Sequence, residues 1–144
     1  MNEDYCSYGL SKALKACGFD EPCDHYYCAF DNETDVRFWS IHPAQSQNGF
    51  TNPDGKVIAS APTLAHAQKW LREKWGIHVD VCIYSDCSTD ADGKICDRWD
   101  FWGFDLYAVV GGEKMIDDDG EYDSYEAALS AGIAAALELI KKGE

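Results

Sequence analysis

The sequence predicts an α+β fold, two layers deep, in which about three helices pack on one face of a mainly antiparallel sheet. Three observations lead there: apolar residues at helical spacing in three segments, β-branched and aromatic runs between those segments, and glycine-containing dipeptides suited to hairpin turns. At 144 residues the chain has the size of one domain, enough to bury a core without a covalent staple.

The first helix is expected from Ser7 to Cys17, with Leu10, Ala13, Leu14 and Cys17 on one face and Gly18 ending it, so that Phe19 folds back onto the helix. Strands are expected at His25 to Phe30 and Val36 to His42. The polar stretch from Pro43 to Pro53 reads as a loop, and the Asp54-Gly55 turn leads into a strand from Lys56 to Ala59. Pro62 precedes a second helix, Thr63 to Trp75, with Thr63 as N-cap, Gly76 just past the end, and Leu64, Ala67, Trp70 or Leu71, and Trp75 on the buried side. Val79 to Tyr84 and Phe101 to Val110 read as strands, with Asp92-Gly93, Gly111-Gly112 and Asp119-Gly120 as turns. Either Asp123 or Ser124 suits the N-cap of the third helix, whose apolar face carries Leu129, Ile133, Ala136, Leu137 and Ile140. The strands are expected to join in one sheet, in an order that pattern alone does not specify.

Twelve Lys and Arg against 26 Asp and Glu leave a net charge of −14, and 17 of the acidic residues follow Arg72. Such a field repels nucleic acid and anionic lipid and favours cationic partners, so neither direct nucleic-acid binding nor membrane association is expected. The acidic start, Met1 to Cys6, has no apolar run behind it and does not read as a secretory signal. Seven cysteines without an export signal read as reduced, mostly buried thiols, and the expected compartment is the cytoplasm.

Two Cys-x4-Cys pairs, Cys23 with Cys28 and Cys82 with Cys87, are the candidate zinc ligands. Strand alternation would turn Cys23 and Cys28 to opposite faces, so inert thiols are expected, with no metal and no cofactor. His78, Asp80, Cys82 and Tyr84 alternate with Val79, Val81 and Ile83, which would present a Cys and a His together on a polar strand face. A nucleophile there also needs an orienting group and an oxyanion hole, and a solvent-facing strand side accounts for the same alternation. Asp117, Asp119, Gly120 and Glu126 match calcium-loop positions, but Met115 stands where the first carboxylate belongs, so the segment reads as an acidic turn. No phosphate-binding loop, nucleophile elbow or His-Glu-x-x-His motif occurs.

The densest aromatic run is Trp99 to Tyr107. As a strand it would turn Trp102, Phe104, Leu106, Ala108 and Val110 to the core and leave Trp99, Phe101, Asp105 and Tyr107 opposite, a rigid aromatic and acidic surface for a partner.

The run Leu10 to Phe19, the phrase Ala61-Pro62-Thr63-Leu64 leading to Trp70-Leu71-Arg72, and the ending Ser124 to Ile133 resemble short uncharacterised proteins encoded in phages and prophages of gut bacteria. That resemblance implies a context and no activity, fold or site residue.

The leading expectation is a non-enzymatic binding or accessory protein that contacts a protein partner, or a second copy of itself as a homodimer, through Trp99, Phe101, Asp105 and Tyr107. One form of it is an acidic inhibitor that occupies the basic groove of a nucleic-acid-binding host protein. The alternatives are a small enzyme with an unfamiliar Cys/His site and a zinc-stabilised structural domain.

Overall fold

A computed structural model describes residues 4–45 and 57–142. The order is α1 (Tyr8–Ala16), β1 (Cys23–Phe30), β2 (Asp35–Gln45), β3 (Val57–Ser60), α2 (Leu64–Trp70), a π-helical turn (Leu71–Trp75), β4 (Ile77–Thr89), β5 (Ile95–Ala108), β6 (Lys114–Tyr122) and α3 (Tyr125–Lys142). The α+β class is as expected, and every strand pair is antiparallel. The single sheet is not: among the described residues the strands divide into two sheets of three, ordered β2-β1-β3 and β4-β5-β6. The helix-forming segment after Ser60 separates β3 from β4, and each hairpin recruits a neighbour on its own side of that break.

Local chemistry places the helices. The Ser7 hydroxyl accepts from the Leu10 amide at 3.2 Å and opens α1. At its end Gly18, with φ of 95°, turns the chain so that the Phe19 amide donates to the Leu14 carbonyl and the Gly18 amide to that of Lys15, a Schellman closure. Phe19 then folds back as expected and meets Trp70 edge-on at 5.3 Å. Thr63 caps α2 by accepting from the His66 amide at 3.1 Å. The second helix opens into the π turn at Leu71, and Trp70 and Leu71 are both buried there. Trp75, expected on the buried side, is instead 37% exposed, because the widened turn breaks the 3.6-residue phase. Ser124 caps α3 by accepting from the Ala127 amide.

One contiguous core joins α1, α2 and α3 to β4 and β5, with Leu14, Leu71, Val79, Leu106 and Ile133 among its most buried side chains. Its closest approach is at Gly132, where an added Cβ would stand 2.5 Å from Val79 Cγ1. The β1–β2 turn holds Asp31, Asn32 and Glu33 at φ of 51°, 56° and 68°, strained for residues with side chains. Two contacts from α1 brace it: Glu33 accepts from Lys12 Nζ at 2.6 Å and from the Tyr8 hydroxyl at 2.7 Å.

Several other expectations change. Strand β6 is not among the expected strands, and Asp119-Gly120 lies within it rather than in a turn. Against β5, the pairing jumps from Trp102 with Tyr122 to Phe104 with Asp118, so the extra β6 residues are taken up by a bulge. Val110, expected in the core, is 91% exposed because β5 ends at Ala108 and Gly111-Gly112 turns the chain. Pro43 to Gln45 of the expected loop belong to β2, and its remainder, with Asp54-Gly55, lies outside the described residues. Among the described residues no helix is long and apolar enough to cross a membrane.

Candidate functional site

The second sheet has a covered face and an open one. Alternation along β4 sends Ile77 and Val79 into the core and leaves His78, Asp80, Cys82 and Tyr84 on the outer face. Register brings matching residues of β5 beside them: His78 pairs with Tyr107, Asp80 with Asp105, Cys82 with Gly103 and Tyr84 with Phe101. The expected polar strand face therefore exists, and the expected partner face of β5 continues it.

The residues of that expected partner face do not behave as one surface. Trp99 is 42% exposed. Phe101 is half-buried and stacks on Tyr84, with ring centroids 5.5 Å apart. Tyr107 is half-buried beneath the Lys114 ammonium, 5.7 Å from its ring. Asp105, expected at the surface, is instead only 5% exposed, because β5 is the central strand and its carboxylate is hemmed in by Cys82, Tyr107 and Lys114.

Asp105 is a buried carboxylate whose neighbours satisfy it poorly. Its Oδ2 lies 3.5 Å from the Cys82 thiol, 3.5 Å from the Tyr107 hydroxyl and 3.8 Å from Lys114 Nζ, all long contacts. Its Oδ1 is buried with no hydrogen-bond partner among the described residues, as is His78 Nδ1. Cys82 also approaches Asp80 Oδ2 at 3.7 Å, and the donor atoms of Asp80, Cys82 and Asp105 all lie within 4.8 Å of one another. Burial first, and then the neighbouring charges of Asp80 and Asp105, raise the Cys82 thiol above its ordinary pKa. The proton stays on sulfur at neutral pH, the opposite of what an activated nucleophile requires.

The Cys-x4-Cys pairs do not assemble. Cys23 and Cys28 are both buried in β1, burial pushing the Cys23 thiol up to about 12, whereas Cys87 is exposed far along β4 from Cys82. Among the described residues the one group of three potential metal ligands contains Cys82 but none of the other three cysteines of those pairs.

Beyond Trp102, β5 has no β6 neighbour, so β4 and β5 continue as a two-stranded ribbon. Every residue from Ser85 to Asp100 is exposed. Asp90 closes the tip: its Oδ1 accepts from the Asp92 and Lys94 amides at 2.9 Å, and Gly93 takes φ of 80°, as its Asp-Gly signal suggests. Large apolar side chains stand out along the ribbon, with Ile95 60% and Trp99 42% exposed, and Ile83 at its root is 57% exposed.

Two residues of this region escaped sequence reasoning. Lys114 reaches Asp105 only through the β5–β6 register, which nothing local encodes; the exposure of Ile95 follows from a strand continuing past its sheet. Compared with known proteins, the chain matches no protein-family model, no curated protein and no solved structure.

Proposed function

We propose that this chain is a non-enzymatic protein-binding module whose β4–β5 ribbon grips a basic partner surface. The observation that carries the reading is the ribbon itself, fully exposed from Ser85 to Asp100 yet bearing Ile95 and Trp99. An isolated two-stranded ribbon is at best marginally stable in water, and its open edges and large apolar side chains are features that proteins ordinarily cover. A partner strand or groove would satisfy both.

Charge selects the kind of partner. Ser85 to Asp100 holds five aspartates against Lys94 and Arg98, which steers a basic surface toward the ribbon and opposes an acidic one, including a second copy of this chain. Trp99, with Phe101 and Tyr84 behind it, supplies the rigid aromatic contact that commonly dominates binding energy.

The test is binding to an immobilised peptide library graded from acidic to Lys- and Arg-rich, with sedimentation velocity run in parallel. Wild type should retain basic peptides, less so as salt rises, and replacing Ile95 and Trp99 together with Ala should weaken binding at least about tenfold. Retention unaffected by both substitutions and by salt would remove the ribbon from the interface. A dimer forming through the ribbon would replace the basic partner with self-association.

A further inference from the structure

Asp80 and Asp105 face each other directly across β4 and β5, an arrangement that is destabilising for two like charges. Asp105 makes it costlier, because its side chain is only 7% exposed and Oδ1 has no partner among the described residues. The thiol between them cannot repair this. Cys82 has one proton, yet carboxylate oxygens of both aspartates lie within 3.7 Å of its sulfur. Lys114 offers partial compensation from 3.8 Å, but its side chain is 44% exposed and also lies over the Tyr107 ring. The cluster is short of positive charge at its buried end.

We propose that Asp80, Cys82 and Asp105 bind one zinc ion on the outer face of the second sheet, leaving a fourth position open to solvent. The two sulfur-to-oxygen spacings fit the ion, and the two carboxylate oxygens lie within 4.8 Å of each other. Bonds of about 2.3 Å to sulfur and about 2.1 Å to oxygen, meeting at a tetrahedral angle, set sulfur and oxygen about 3.6 Å apart. The observed separations from Cys82 Sγ are 3.7 Å to Asp80 Oδ2 and 3.5 Å to Asp105 Oδ2. Gly103 stands opposite Cys82 and contributes no side chain to crowd the sulfur. A single sulfur with two carboxylates suits zinc better than calcium or magnesium, which take oxygen ligands alone. Asp80 and Cys82 are half-exposed, so the ion has a way in. Binding releases the Cys82 proton to solvent and turns the like-charged pair into ligands of a divalent cation.

The experiment is titration of the reduced full-length chain with Co²⁺, followed by displacement with Zn²⁺ and repeated on variants whose folding is checked by circular dichroism. The expected result is one cobalt per chain with a thiolate-to-cobalt charge-transfer band and the visible bands of tetrahedral geometry, all lost when Zn²⁺ is added. Cys82→Ser should abolish the thiolate band and Asp105→Asn should weaken uptake at least about tenfold. Lys114→Gln, which removes the competing cation, should bind as tightly as wild type or more so, and it keeps the test decisive if Asp105→Asn does not fold. Absence of uptake by wild type overturns the proposal. So does a thiolate band that survives Cys82→Ser, which would place the metal on other thiols such as the exposed Cys87 and Cys96.

Discussion

Replacing Gly132 with Ala sets two effects of similar size against each other. In an isolated helix the change would be favourable by about 1 kcal/mol, since glycine is the poorer helix former. Here the new methyl would lie 2.5 Å from Val79 Cγ1 and 3.1 Å from Phe104 Cγ, whereas carbon atoms prefer about 3.5–4.0 Å. Roughly an ångström must be found. Val79 cannot easily provide it, being fully buried and, as a β-branched residue, stiff at χ1. Helix α3 must instead lift from β4 and β5 and loosen the seating of Leu129, Ile133 and Leu137. Overpacking of this kind costs about 1–3 kcal/mol, and a shortfall this large belongs in the upper part of that range, leaving a net loss of about 1–2 kcal/mol after the propensity gain. Urea unfolding under reducing conditions reads it as a lower midpoint with unchanged slope. Val79→Ala alone should cost about 2 kcal/mol for its lost methyl groups and the void they leave. In the double variant the methyl introduced by Gly132→Ala should occupy part of that void, so the combined loss should fall short of the sum by at least about 1 kcal/mol. Stabilisation by Gly132→Ala, or a double variant that is additive within about 0.5 kcal/mol, would refute the close approach of helix and sheet.

Thiol reactivity and acid stability offer two further checks. With a disulfide reagent at neutral pH, Cys87 and Cys96 should react fast and Cys82 more slowly, while Cys6, Cys17, Cys23 and Cys28 should wait for unfolding; burial pushes the Cys6 and Cys23 thiols up to about 12. A fast phase of four or more thiols would contradict the packing around β1. Glu33 is held below the ordinary carboxylate value of 4.5, chiefly by hydrogen bonds from Lys12 and then Tyr8. A folded pKa below the unfolded one means that its contribution is fully present above about pH 4.5 and is lost as pH falls through the folded value. Glu33→Gln should therefore lower the urea midpoint at neutral pH, with the gap from wild type closing on acidification; a gap that is constant with pH would show that the charge is not involved.

The parts of this protein that are legible in its sequence are those governed by neighbours along the chain. Ser7, Thr63, Gly18 and Gly76 mark helix ends because a cap hydroxyl needs only an amide a few residues on, and a glycine needs only its own positive φ. Alternation from His78 to Cys82 likewise shows which residues share a strand face, so two of the three candidate metal ligands can be read directly. Tertiary structure decided the remainder. Nothing local says that the strands divide into two sheets, or that the acidic run at Lys114 to Tyr122 becomes a strand despite the poor strand propensity of aspartate. Asp105 is buried because β6 flanks β5 on its far side, and it meets Asp80 because β4 and β5 pair in one register and not the next. The ribbon is exposed for the complementary reason, that β6 stops pairing at Trp102. Hydrogen bonds within a few residues are written in composition and spacing, whereas register and burial depend on segments far apart in the chain, whose combined apolar area and hydrogen bonding choose one pairing over the others.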